Sequence, residues 1–329
     1  MKPGDQQPIG REPAGMRLEG KLAWHPSVAA WREVAPEAPD PECIEVLPHG
    51  QKSATYRLVG AEPDGGPVIA QRSQMSKALI ERTVYEQILP HLPVTSPRYY
   101  GFKAEDPEYG WLFLQDVGDE RYSDTNGQHL ALAGRWLGLM HGTATSLPAA
   151  RRMPDAGPAR YLDHARVARR SIRAHLANQA RMLEPLAADL ERLETDWPRV
   201  ESACAGAPLT LTHGAFQPKN ARVQREGERI ELFPIDWETA GWGVPAADLE
   251  AVDLPTYWSA VRPFWPNLRL EDVQRLARAG QVFRWLGAIR CDAEQLADET
   301  APDPSGPLAS LQVGHARLSD AVQALDDAA

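Results

Sequence analysis

The sequence predicts an α+β fold in two parts, a strand-rich first third and a mostly helical remainder that carries a β insert. Three observations lead there. Short runs of alternating apolar and β-branched residues recur up to about residue 115. From residue 128 onward the apolar spacing turns helical in long blocks. Only the stretch 208–235 interrupts those blocks, with apolar runs of strand length.

Residues 1–20 are rich in Pro, Gly and charge, have little to bury, and read as a loose tail. "HPSVAAWREV" then reads as a short helix, and "CIEVLPHGQKSATYRLVG" as two strands around a turn containing Gly50. "PDGG" is a turn and "PVIAQRS" a third strand. "SKALIERTVYEQILPHL" has apolar positions at Leu79, Val84, Ile88 and Leu89 behind a capping Ser76, and reads as an amphipathic helix over about 76–89. "GWLFLQDVG" is an apolar strand that stops at polar residues and Gly118, a connector. Beyond it, residues 128–146, 156–188, 190–204, 270–299 and 306–327 carry helical patterning, and "APDPSGP" is a loop. The expected division is a tail over 1–20, a small sheet-bearing part over 21–117 and a helical part over 118–329.

Composition narrows the function classes. Of the 329 residues, 43% are hydrophobic and 24% charged, the mix of a folded soluble chain. A formal charge of -10 argues against nucleic acid or an anionic membrane as partner, because both need basic surface. It is compatible with a cationic or neutral polar substrate, with acidic solubility the commoner reason for such a charge. Cys43, Cys204 and Cys291 have neither metal-ligand spacing nor a disulfide framework, so a reducing cytoplasm is expected. The N-terminus shows no apolar leader and no run approaches membrane-spanning length.

Two segments carry chemistry. In "LTLTHGAFQPKN" an apolar strand leads into His213-Gly214, and Asn220 follows seven residues after the histidine. In "FPIDWETAGWGVPAADLEAVD", Asp236 ends an apolar strand sixteen residues after Asn220, with Gly243, Pro245 and Asp248 downstream. An amide oxygen on a loop and a carboxylate at a neighbouring strand end are the donors that Mg²⁺ takes when it also bridges substrate phosphates. Together, "THGxxxxxN" and "IDWExxxxGxPxxDL" at this separation are a strong signal.

These two segments resemble the aminoglycoside phosphotransferase and choline kinase-like family, distant relatives of protein kinases. The resemblance extends over most of the chain. "ERTVYEQILPHLPVTSPRYYGF" followed by "WLFLQDVG" is similar to the family's small-lobe helix and hinge, and "WLGLMHG" to its first large-lobe helix. It implies a two-lobed, protein-kinase-like fold with ATP (or another nucleotide) and Mg²⁺ in the interlobe cleft. It further implies Asn220 and Asp236 as metal ligands, Asp248 as the buried organiser of the catalytic loop, and Glu81 as the helix acid that normally pairs with a nucleotide-gripping lysine.

Two departures stand out. The position of the family's catalytic Asp holds Ala215, whose methyl group takes no proton. The lysine position is most simply Gln71, with Arg72 sent to the other face by strand alternation unless the register slips by one. Gly50 and Ser53 are the only hint of a phosphate-cradling turn, and a plain hairpin explains them as well. His213 and His141 read as structural residues rather than bases, and Tyr257, Trp258, Phe264, Trp265, Phe283 and Trp285 as core more than pocket wall. Glu250 and Asp253 are open between cleft and solvated helix. Three functions follow: a degenerate phosphotransferase that binds a nucleotide or small polar metabolite with weak or no transfer, or is repurposed for other small-molecule chemistry; an active small-molecule kinase using another base, or with Ala215 replacing an original Asp; and a non-catalytic interaction scaffold.

Overall fold

A computed structural model describes residues 12–48, 53–176, 181–227, 229–297 and 304–327. In chain order the elements are β1 (Arg17–Glu19), α1 (Pro26–Val34), β2 (Cys43–Leu47), β3 (Ala54–Val59), β4 (Val68–Gln74), α2 (Met75–Thr83), β5 (Tyr99–Ala104) and β6 (Tyr109–Gln115). Then come α3 (Gly127–Ala144), α4 (Pro148–Arg151), α5 (Pro158–Leu176), α6 (Glu184–Thr195), α7 (Trp197–Cys204) and β7 (Thr210–Thr212). The chain closes with β8 (Ala221–Glu226), β9 (Arg229–Pro234), β10 (Gly241–Gly243), α8 (Leu254–Val261), α9 (Leu270–Leu296) and α10 (Ser305–Asp326). This is the α+β order the sequence predicts. Two compact units result: residues up to Tyr122 with Lys219–Thr239, and Ser123–Pro218 with Ala240 onward.

The first unit is built on a six-stranded antiparallel sheet in the order β1-β2-β3-β4-β6-β5. Alternation decides its faces. Tyr56 and Leu58 of β3, Val68 and Ala70 of β4, and Trp111 and Phe113 of β6 pack with Val28 and Trp31 of α1 into one buried cluster. The opposite parity of β4 carries Gln71, which faces α2. Past β6, Arg57 grips the connector through Asp116 (Nε to Oδ2, 2.5 Å) and Asp119 (Nη2 to Oδ1, 2.7 Å). The β8–β9 hairpin completes the unit, its first strand tied to the connector by Val223 N–H donating to Glu120 O at 2.9 Å.

Several elements differ from expectation. Arg17–Glu19, within the expected tail, adds an edge strand to β2. Residues 1–11 of that tail lie outside the described residues. The helix expected over 76–89 ends at Thr83, passes through a wider turn at Val84–Ile88, and closes as a tight turn at Leu89–His91. Pro90 cannot donate the next helical bond, which explains the stop. β5 was not legible, because "YYGFKA" contains Gly101 and pairs with β6 through a register shift. In the expected loop at 301–307, α10 already begins at Ser305, and residues 301–303 lie outside the described set.

The second unit is helical around α9, whose Val273, Leu276, Phe283, Leu286 and Ile289 are buried. Tyr161 of α5 stacks on Phe283 at 4.0 Å between ring centroids. Gly280 lets α9 approach the tight turn Pro245–Asp248: a Cβ there would fall 1.9 Å from Ala246 O. β7 pairs with β10, whose strands lie about thirty residues apart, rather than with its sequence neighbour β8. Phe283, Tyr257 and Trp265 are core, as expected, whereas Phe264 is 42% exposed. No helix among the described residues is long and apolar enough to cross a membrane.

Candidate functional site

The expected site residues fall into two sets, one in each unit. In the first unit Glu81 is fully buried on α2. Its Oε2 accepts from Gln71 Nε2 at 2.9 Å and its Oε1 from the backbone N–H of Trp237 at 3.1 Å. Gln71 is therefore the β4 residue that meets the helix acid. Arg72 lies on the other face, donating to Glu105 (Nε to Oε2, 2.5 Å) with its guanidinium 3.8 Å from the Tyr109 ring centre. Burial, and then the charges of Asp236 and Glu238, push the Glu81 carboxyl well above the usual carboxylate range. Gln71 thus offers Glu81 a neutral amide donor where a lysine would offer a charge. Ser53 directly precedes β3 and is half-buried; Gly50 lies outside the described residues.

Asn220 and Asp236 are held at the two ends of the hairpin. Asn220 is buried, and its backbone carbonyl accepts from Ile235 N–H at 2.9 Å, which brings the two positions side by side. Asp236 has φ 66°, the only positive φ among the described non-glycine residues. A backbone held in this region costs about 1–3 kcal/mol and is characteristic of functional sites. The Asp236 carboxyl is pushed up to about 6, by burial and then by Glu238, while Lys219 and Lys77 pull it down. An amide and a carboxylate on a strained turn, amid an under-neutralised group of acids, fit a Mg²⁺ ion that completes its shell with phosphate and water.

The shift sets a pH test. Asp236 rises from 3.8 to about 6 on folding, so between those values the folded chain holds a proton that the unfolded chain releases. Its contribution to stability is complete below about pH 4 and is lost as pH rises through about 6. In chelator-containing buffer, Asp236→Asn is expected to gain stability relative to the parent chain between pH 4 and 7, read from urea midpoints. A difference that stays flat over that range would show Asp236 to be unperturbed.

In the second unit the loop after β7 hangs on Asp248, which is fully buried. Its Oδ2 accepts from His213 N–H at 2.7 Å and its Oδ1 from Gly214 N–H at 2.8 Å. Gly214 takes φ 78°, which a residue with a side chain adopts only at a penalty. His141 stands behind, Nε2 3.2 Å from Asp248 Oδ2 and Nδ1 3.0 Å from Tyr257 Oη. A neutral imidazole protonated on Nε2 satisfies both contacts. The loop framework is intact, and it presents the half-buried methyl of Ala215. The His213 ring is buried edge-on to Phe216, 6.1 Å between centroids. Asp253 caps α8 by accepting from Thr256 N–H, and Glu250 pairs with Arg284 at 2.5 Å, so each has a structural partner.

Three residues beside the expected set went unread in the sequence. Lys77 lies one turn before Glu81 on α2, and its Nζ is 2.8 Å from Glu238 Oε2. Lys219 precedes Asn220, is exposed, and its charge reaches Asp236. The signal was available in the i, i+4 spacing of Lys77 and Glu81 and in Glu238 lying two positions after Asp236.

Comparison with known proteins bears on fold and family. At 14% identity the chain is similar to the GDP complex of aminoglycoside 2'-phosphotransferase-IIIa, covering 88% of this chain and 97% of that one with a TM-score of 0.59. A choline kinase from Cryptosporidium parvum Iowa II matches at 12% identity over 85% and 90% of the two chains, TM-score 0.56. A Plasmodium vivax ethanolamine kinase matches at 14% identity over 87% and 83%, TM-score 0.56. These likenesses show a shared kinase-like fold. No curated relative matches the chain. The model of the phosphotransferase enzyme family matches residues 44–289, which include every site residue described above. Over most of its length, then, the strand-rich first part, the Asp248-anchored loop and the Asn220–Asp236 hairpin are one family's pattern, and the chain belongs to the phosphotransferase enzyme family.

Proposed function

We propose that this chain binds a magnesium–nucleotide complex and a small polar metabolite, and transfers phosphoryl groups weakly or not at all, or has turned the same residues to other small-molecule chemistry. The observation that carries the reading is the Gln71–Glu81 hydrogen bond, a neutral amide in place of a phosphate-gripping cation. Asn220 and Asp236 would hold the magnesium, which when bound neutralises charge on phosphate oxygens. The nucleotide in solved relatives, GDP in one and ADP in another, supports that choice of ligand.

The residues that would act on an acceptor are depleted. An attacking hydroxyl must lose its proton as its oxygen bonds to phosphorus. Asp248 fixes the backbone that would present a base, and the residue presented is Ala215. General-base help is worth ~10²–10⁴ in rate. Phosphoryl transfer draws more on positioning and charge neutralisation, and there Gln71 contributes a dipole instead of a charge. Both terms are weakened at once.

The test is a calorimetric titration with ATP and GTP, with and without Mg²⁺, alongside single-turnover assays on aminoglycosides, choline and hydroxylated metabolites. The expected result is magnesium-dependent nucleotide binding with feeble transfer. Fast transfer by the unaltered chain would establish an active kinase instead. Absence of binding under either condition would favour a scaffold.

A further inference from the structure

The first unit carries a cation, Lys77, on the same helix as Glu81. Lys77 extends from the first turns of α2, one turn before Glu81 on the same helical face. Its Nζ rests 2.8 Å from Glu238 Oε2. Through Glu238, Trp237 and Glu81 it belongs to the same short chain of contacts that ends at Gln71. Extending the nucleotide-binding reading above, on which this inference rests, we propose that Lys77 is the phosphate-directed cation of this protein, supplied from α2 in place of a lysine on β4.

Three observations support the assignment. The arginines of β3 and β4 are committed: Arg72 is turned to Glu105 and Tyr109, and Arg57 is held by Glu45, Asp116 and Asp119. Lys77 is committed only to Glu238, and its side chain is 44% exposed. An exposed ion pair of this kind contributes little, so the ammonium can exchange Glu238 for a phosphate at small penalty. Finally, Glu238, which holds the ammonium at 2.8 Å, stands two residues after Asp236, and the intervening Trp237 N–H is bonded to Glu81, so Lys77 is tied to the segment that would hold magnesium. Lys219 lies beside Asn220 in the tight turn Pro218–Asn220 and is exposed. In this arrangement Glu238 is a resting partner: it holds the ammonium near the site and competes with the phosphates for it.

The experiment compares the affinities of Mg·ATP and adenosine, with Mg·GTP and guanosine in parallel, for the parent chain, Lys77→Met, Glu238→Gln and the double variant Lys77→Met/Gln71→Lys. Lys77→Met is expected to weaken Mg·ATP binding about tenfold or more, as loss of one charge-assisted contact does, and to leave nucleoside binding unchanged. Glu238→Gln, which releases Lys77 and removes a repelling charge, is expected to tighten Mg·ATP binding severalfold. Gln71→Lys is expected to restore what Lys77→Met loses. If Lys77 only neutralises Glu238, the ratio of triphosphate to nucleoside affinity stays at its parent value in Lys77→Met, and the proposal is overturned. Should Lys77→Met fail to fold, a parent-like Mg·ATP affinity in Glu238→Gln overturns it as well. If the parent chain binds neither triphosphate nor nucleoside, the nucleotide-binding reading itself falls, a result distinct from the first two.

Discussion

Asp248→Ala is expected to destabilise the second unit by about 4–6 kcal/mol, the largest effect of any single substitution at the site. Three donors converge on this carboxylate: the backbone N–H groups of His213 and Gly214 and the imidazole Nε2 of His141. All three residues lie in buried or half-buried surroundings, so water does not simply replace the lost acceptor. Each donor left unsatisfied costs about 1–3 kcal/mol, and whole domains are stable by only about 5–15 kcal/mol. Asp248→Asn retains one acceptor oxygen and is expected to cost roughly half as much. Tyr257→Phe removes only the hydroxyl from His141 Nδ1 and is expected to cost about 1 kcal/mol. Hydrogen exchange gives a local check beside the urea midpoints. The His213 and Gly214 amides are expected to be protected in the parent chain and to exchange freely in Asp248→Ala. An Asp248→Ala protein within about 1 kcal/mol of the parent, with those amides still protected, would show that the carboxylate does not hold the loop.

The largest expected effect on activity comes from repairing two positions together. Ala215→Asp alone is expected to restore little transfer, because Gln71 leaves the phosphates short of one charge on β4. Gln71→Lys alone is also expected to restore little, because no residue at 215 takes the hydroxyl proton. The two changes act on one transition state, so the double variant should exceed the product of the single gains. The scale of the missing general-base term is ~10²–10⁴ in rate. Gln71→Lys has a second, spectroscopically accessible consequence. A cation at position 71 would face the Glu81 carboxyl and should draw that acid down from its raised value. Single-turnover phosphorylation of an acceptor panel by all four proteins is the measurement. Full recovery from Ala215→Asp alone would mean that transfer needs no cation on β4; Lys77, whose ammonium is shared with Glu238, is expected to support nucleotide binding without that recovery.

Much of the α+β order was legible because it rests on local periods. The alternation in "ATYRLV" and "PVIAQRS", and the helical spacing of residues 128–146 and 270–299, are each properties of a few consecutive residues. The same locality made the motif residues legible: Asn220, Asp236 and Asp248 stand at fixed distances from His213 along the chain. Alternation alone also assigned Gln71 and Arg72 to opposite faces of one strand.

What the sequence left open depends on partners far along the chain. Arg17–Glu19 becomes a strand only because β2 offers it an edge, and "YYGFKA" only because β6 does. Three-residue β7 finds β10 across an intervening hairpin, a pairing that no local period encodes. The charge state of the first unit's site was hidden for the same reason. Gln71, Lys77, Glu81, Asp236 and Glu238 are ordinary polar residues in sequence. Folding brings them together, and burial raises the carboxyls of Glu81 and Asp236 while the Lys77–Glu238 pair stays partly exposed beside them. Periodicity is set by neighbours one to four residues away, whereas desolvation and Coulomb coupling are set by distances in space, and only the tertiary structure supplies those.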